Sequence, residues 1–241
     1  MLERGKGVAV WRQIEQQIAD DIARGVFAEG SRLPTEPALA ERFGVNRHTL
    51  RRAMRGLAER GLVRIEQGRG SFVQEDVIDY LIGARTRFSE IVSSQERRPG
   101  GRLLEAFEVG AQGAVAKALE VAAEAPCFRL ETLHAADGRN IGIATNYFPA
   151  KRFPDMIPVF AERGSISAAL AHYGVGDYRR RTTKVTARMP SRDDCRYLAH
   201  PANRPLLVSE SVNVDSKGRA VQYAVTRFSG DRVQMVFETA G

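Results

Sequence analysis

Arg47, Arg51 and Arg55 recur at steps of four, with His48 and Arg52 beside them, so a helix over this stretch carries one basic face. Such a face suits the major groove of DNA. Side chains near the helix start reach base edges, Arg can donate two hydrogen bonds to guanine O6 and N7, and the remaining arginines meet phosphates. Taken alone, a charged run is more often one solvated helix face, and what distinguishes this one is its company. Arg69 stands between Gly68 and Gly70 in the string LVRIEQGRGSFV (62–73), where a side chain on a bare backbone, helped by Gln67, can enter a minor groove or meet phosphate. Residues 42–69 hold eight Arg against only Glu59 and Glu66, so nearly all of the net charge of +7 sits there.

A second constellation, Arg85-Thr86-Arg87-Phe88-Ser89, offers two guanidiniums, two hydroxyls and backbone N–H groups at the apparent start of a helix, which is what a phosphate or phosphonate dianion needs. The run Arg179-Arg180-Arg181 reads as the solvated start of a strand, with a phosphate-facing arginine as the alternative. Enzymatic signatures are missing. His48, His134, His172 and His200 are scattered without HExxH or a local carboxylate partner, and there is no GxSxG elbow, Walker loop or full GxGxxG. Cys127 and Cys195 have no CxxC spacing, so neither a disulfide framework nor a zinc site is signalled, and no metal or cofactor is expected. With no apolar signal core in MLERGKG and no membrane-length apolar run, a soluble cytoplasmic protein is expected, with no membrane partner.

The elements that must position these residues are legible in the apolar periods. Trp11, Ile14, Ile18, Ile22 and Val26 recur at steps of three and four and predict a first helix over 10–26. Thr35 is a good N-cap for a short second helix with Glu36 in its first turn and Leu39, Ala40 and Phe43 inward. Gly44 breaks it, and Asn46 caps a third whose inward set is Leu50, Ala53, Met54 and Leu57. Gly61 ends that helix, and the Gly68–Gly70 hairpin follows. Helix, helix, turn, helix, hairpin is a winged helix-turn-helix, placed at 1–74. A linker is expected at 75–84, with Tyr80 and Leu81 opening an edge strand, and a second domain at 85–241. There, apolar stretches at 127–136, 141–149, 183–189, 206–214 and 221–228 alternate with turn signals, and 112–123 and 165–173 carry helical spacing. The fold class is therefore α+β, a winged helix followed by an antiparallel-sheet domain.

The string LPTEPALAERFGVNRHTLRRAMRGLAERGLVRIEQGRGSFV (33–73) resembles the DNA-binding domain of GntR-type bacterial regulators, in which an LPSE-like start, a V-x-R-x-T-x-R helix start and a G-x-G wing recur in order. The resemblance implies DNA contacts from Asn46, Arg47, Thr49, Arg51, Gln67, Gly68 and Arg69, with Thr35, Glu36, His48, Arg52 and Gly70 completing the candidate interface. Where the family often has a basic DNA contact after the LPSE glutamate, this chain has Pro37, and Arg32 or Arg42 is the candidate substitute. The second domain resembles the ligand-sensing (UTRA) domain of the HutC subgroup, a fold related to chorismate lyase. DYLIGARTRFSE (79–90) and RLETLHAADG (129–138), with VNRHTLRRA, place it near the regulators of phosphonate utilisation.

That likeness implies an effector site of Arg85, Arg87, Phe88, Ser89, Thr132, His134, Ser165, Ser167, Gln222 and Phe228. His134 stands where arginine is usual, trading a fixed charge for possible pH sensitivity, and Ala144 where members that bind phosphosugars carry a glutamate. The expectation is a homodimeric repressor on a palindromic double-stranded operator, released by a small anionic effector, a phosphonate or phosphorylated metabolite, with the 74–84 segment transmitting the change. A sugar phosphate or an imidazole-type catabolite is the alternative effector, and lyase-like catalysis on the C-terminal fold the alternative of a different class.

Overall fold

A computed structural model describes residues 8–74 and 77–238, and the chain divides into two compact units, Met1–Asp76 and Val77–Gly241. In the first, α1 (Val10–Ala23) buries Ile14 and Ile18 completely. It stops a turn earlier than expected, because Gly25 at φ +74 turns the chain away and leaves Val26 60% exposed. α2 (Glu36–Phe43) begins at Thr35, whose side chain accepts from the Ala38 N–H, and ends at Gly44 in the left-handed conformation. α3 (Arg47–Glu59) begins at Asn46, which accepts from the Thr49 N–H at 2.8 Å. Leu39, Leu50, Met54 and Leu57 close on α1 as one core. Burying each of these side chains contributes about 1.5–3 kcal/mol. The wing is the antiparallel pair β1 (Val63–Glu66) and β2 (Gly70–Val73).

The second unit begins earlier than expected. β3 (Ile78–Leu81), inside the stretch assigned to a linker, pairs in parallel with β10 (Val233–Val236), and Ile78 and Tyr80 are buried against Phe228 and Val233. Glu75 and Asp76, the first two residues of that expected linker, lie outside the described residues. After α4 (Phe88–Ser94) comes β4 (Pro99–Gly110), which apolar periodicity missed: it is a sheet edge, mostly exposed, and its Gly-rich start dilutes the alternation. α5 (Gly113–Leu119), β5 (Pro126–Ala136), β6 (Arg139–Pro149), α6 (Met156–Arg163), α7 (Ile166–His172), β7 (Arg179–Arg188), α8 (Arg192–Leu198), β8 (Leu206–Val214) and β9 (Ala220–Ser229) complete it.

Six strands form one antiparallel sheet in the order β4-β5-β6-β9-β8-β7. Both faces of its centre are covered, so the pleat sorts side chains two ways. Leu130, Phe148 and Val221 pack under α6 and α7, while Leu133, Ile143 and Val208 pack under Leu198 of α8. Among the described residues no helix is long and apolar enough to cross a membrane.

Candidate DNA interface and effector cavity

Because Leu50, Ala53, Met54 and Leu57 turn α3 inward, Asn46, Arg47, His48, Arg51, Arg52 and Arg55 are exposed together, with Thr49 half-buried between them. Their surroundings differ. Arg47, His48 and Arg55 have no hydrogen-bond or ion-pair partner among the described residues, whereas Arg51 Nε donates to Glu36 Oε2 at 2.8 Å. Glu36 therefore aims Arg51 while its own charge is offset. Arg52 lies over the Trp11 ring, 4.4 Å from its centroid, and Thr35 is engaged in capping α2.

In the wing, Gln67 and Gly68 are exposed at the tip, and Gly68 and Gly70 take φ +75 and +110, as a turn built on glycine requires. Buried Glu66 binds Arg64 Nε at 2.9 Å and Arg69 Nη1 at 2.6 Å, so the tip arginine is tied to the wing's own base. Of the two candidate substitutes for the contact missing at Pro37, Arg42 is engaged elsewhere, on buried Asp21 at 2.9 Å. Arg32 is exposed and lies against Gly70, where a Cβ would come within 2.9 Å of its Nε.

In the sheet unit, a cavity of about 510 Å³ opens on the face of β5, β6 and β9 beside α4 and α7. It gathers Arg87, Phe88, Ser89, Thr132, His134, Ser165, Ser167 and Gln222 from the expected set, and Ala144 lines it too. Two expected residues are elsewhere. Arg85 points outward into an exposed ion pair with Asp177 at 2.5 Å. Phe228 is core: its ring lies over Gly142, its cross-strand partner, and tilts against Tyr80 at 4.7 Å. Ser165 caps α7 through the Ala168 N–H, and Ser167 Oγ meets Tyr178 Oη at 2.8 Å.

His134 stacks on Phe88, ring centroids 4.2 Å apart, with Nε2 3.2 Å from Thr132 Oγ1 and a buried Nδ1 that has no hydrogen-bond partner among the described residues. Burial pushes its pKa down to about 4, so the expected sensitivity near neutral pH is absent and the ring is neutral there. Arg87 reaches Gly176 O at 2.7 Å and Glu90 at 3.0 Å and lies 4.9 Å over the Tyr178 ring, yet its buried Nε has no acceptor among the described residues.

Tyr80, Arg102, Asn146, Tyr178 and Asn213 also line the cavity and were not singled out from the sequence as effector residues, and Arg180 lines it too, the alternative rather than the main reading of the 179–181 run. A usable signal existed: Asn146, Asn213 and Gln222 are polar residues inside apolar strand runs, where only a hydrogen-bonding role tolerates them. Among the described residues no Asp or Glu lines this cavity, while Arg87, Arg102 and Arg180 do. A second cleft, about 590 Å³, contrasts with it. Its Arg129, Glu131, Asp194 and Arg227 neutralise one another, with Arg129–Glu131 at 2.6 Å and Arg227–Asp194 at 2.8 Å, a pattern of structural ion pairs.

A winged helix with an exposed arginine row, followed by a separate sheet unit with a cationic cavity, defines a protein that couples a DNA reader to a small-molecule sensor. Comparison with known proteins gives the class its family. Residues 11–73 match the bacterial regulatory proteins of the gntR family, and residues 94–234 match the UTRA domain. An HTH-type transcriptional regulator of Rhizobium meliloti is 41% identical over 99% of this chain and 98% of its own. The probable transcriptional regulator PhnF of Escherichia coli is 32% identical over 87% of each. The crystal structure of PhnF from Mycobacterium smegmatis, 24% identical, superposes with a TM-score of 0.65 over 94% of this chain and 99% of that one, a likeness of fold. The chain therefore belongs to the GntR family and carries a UTRA domain, and it is a transcriptional regulator.

Proposed function

We propose that the protein is a cytoplasmic repressor of the HutC type which binds a palindromic operator as a homodimer and is released by a small phosphonate or phosphate-bearing effector, controlling genes of phosphonate uptake or degradation. The observation that carries the effector's chemistry is the cavity lined by three arginines and, among the described residues, no carboxylate; only Arg87 of the three has an ion-pair partner, Glu90, and such an excess of cationic groups favours an anion. Ala144 and the neutral His134 offer a sugar's hydroxyl groups less than a carboxylate and a guanidinium would, which favours a compact phosphonate over a sugar phosphate. Similarity to a relative named PhnF supports the same choice.

At the DNA end, Arg47, Arg51 and the wing residues Gln67, Gly68 and Arg69 carry recognition, Glu36 orients Arg51, and Arg32 takes the place of the basic residue absent at Pro37. One recognition helix reads only a few base pairs, so two-fold pairing on a palindrome supplies the specificity. The effector selects a state with lower operator affinity. Tyr80 is the natural relay, because it lines the cavity from β3, the first element after the chain leaves the winged helix.

The test is fluorescence anisotropy on a labelled duplex from the gene's own upstream region, with scrambled competitor, inorganic phosphate and small phosphonates. Specific binding reversed by one ligand is the expected result. Arg87→Ala with Ser89→Ala should bind the operator normally and lose that reversal, and binding that no ligand disturbs would refute the effector assignment.

A further inference from the structure

The sheet places four polar side chains in one row across its cavity face: Arg180 on β7, Asn213 on β8, Gln222 on β9 and Asn146 on β6. Arg180 Nε donates to Asn213 Oδ1 at 3.4 Å, Asn213 Nδ2 to Gln222 Oε1 at 2.6 Å, and Gln222 Nε2 to Asn146 Oδ1 at 2.7 Å. Asn146 Nδ2 ends the row on the Leu130 and Ala144 carbonyls at 3.4 and 3.3 Å. Guanidinium can only donate, so the direction of the relay follows from its first member. Every amide oxygen in the row accepts a bond, and Asn213 and Gln222 each keep one N–H in reserve.

Arg180 itself is mostly buried. It has no carboxylate partner among the described residues, and apart from Asn213 the structure gives its side chain no acceptor there. Burial pulls its pKa below the usual arginine value, partly offset by Tyr80 and Tyr178 close by. Nothing of this kind holds for its sequence neighbour Arg181, which pairs with Glu120 at 2.6 Å. A sheet that spends a mostly buried cation and three amides on a floor of spare donors is arranged for a ligand that brings acceptors.

We infer that Arg180, with the amide row it orients, is the oxyanion anchor of this cavity: an acidic group of the effector, phosphonate, phosphate or carboxylate, seats against Arg180. The inference rests on reading the sheet unit as an effector sensor and adds which residue binds the acid. It assigns the row three tasks. Arg180 supplies charge and two terminal nitrogens with no acceptor among the described residues, Asn213 and Gln222 supply N–H groups, and Asn146 locks the orientation of the others.

The experiment is titration calorimetry on the full chain with methylphosphonate, inorganic phosphate and acetate, and with the neutral diester dimethyl methylphosphonate, alongside Arg180→Gln, Arg180→Lys and Arg85→Gln. The expected result is binding of at least one acid and none of the diester. Arg180→Gln should weaken that acid roughly tenfold to a hundredfold, with partial retention in Arg180→Lys and no change in Arg85→Gln. The ranking of the three acids identifies the headgroup. A melting midpoint of ligand-free Arg180→Gln at or above wild type is expected too, since an uncompensated buried charge is removed. A lowered midpoint with unchanged affinity would make Arg180 structural and overturn the inference. Wild-type affinity in Arg180→Gln, or equal binding of acid and diester, would overturn the anchor while leaving a sensor; silence of all four probes on the wild type would overturn the anionic-sensor reading with it.

Discussion

Glu36 is an acid placed where DNA phosphates are expected, and its pairing with Arg51 explains how it is tolerated. Replacing it by Gln removes a negative charge from the interface and frees Arg51 to wander. Glu36→Gln is therefore expected to raise affinity for scrambled duplex and lower the preference for operator, read as two anisotropy titrations at one salt concentration. Arg47→Ala should cost about 1–3 kcal/mol of operator binding while the melting midpoint stays put, because the side chain is exposed and has no hydrogen-bond or ion-pair partner among the described residues. His134 makes a pH prediction of definite sign. Its pKa falls from 6.5 to about 4 on burial, so between those values the unfolded chain holds the proton that the folded one lacks. Stability from this group is complete above about 6.5 and declines as the pH drops toward 4. His134→Gln should flatten that acid-side loss, measured by denaturation at a series of pH values. The stripe of α3 was plain from the sequence, since spacing of four fixes a helical face. That Arg52 leans on Trp11 and Arg42 on Asp21 was not, because both partners are distant in the chain.

At the level of elements, the first unit was legible almost throughout. Its helices are bounded by local chemistry, Thr35 and Asn46 at their starts and Gly44 at a stop, which a linear reading detects. In the sheet unit the central strands and part of the edge strand β7 were found, and the edge strand β4 was not. β5 and β6 are buried on both faces and give dense apolar runs; of the two mostly exposed edge strands, β7 shows only in its second half, as the stretch 183–189, and β4 gives no run at all. β4 also carries a constraint the cavity depends on. Gly101, at φ +146 opposite His134, has backbone so close that a Cβ would stand 2.0 Å from the Leu133 carbonyl oxygen. Gly101→Ala should force β4 away from β5 at the cavity wall. The expected loss exceeds about 1 kcal/mol of stability, with ligand binding weakened in parallel, checked by chemical denaturation and calorimetry on one sample.

For the whole molecule, the boundary between units has a direct test. A fragment of residues 77–241 retains β3 and is expected to melt cooperatively. One of residues 85–241 loses the β3–β10 pair and the packing of Tyr80 on Phe228, and should melt lower or fail to fold. Equal midpoints would restore 75–84 as a linker. The full chain's affinity for operator should fall steeply with salt, each phosphate contact adding about 0.9 to the log–log slope, and Arg55→Ala should reduce that slope without changing sequence preference. By itself the sequence determined the winged helix, the arginine face of α3, the glycine wing and much of the cavity wall. Caps, glycines and the 3.6 period act between residues a few positions apart, and family motifs carry the rest. Only the tertiary structure decided that Arg180 rather than Arg85 faces the cavity, that Phe228 is core, and that Asn146, Gln222 and Asn213 join in one hydrogen-bonded row. Those facts depend on strand order and register: β7, β8, β9 and β6 become neighbours in an order the chain does not follow, and a one-residue slip would turn every one of these side chains to the opposite face.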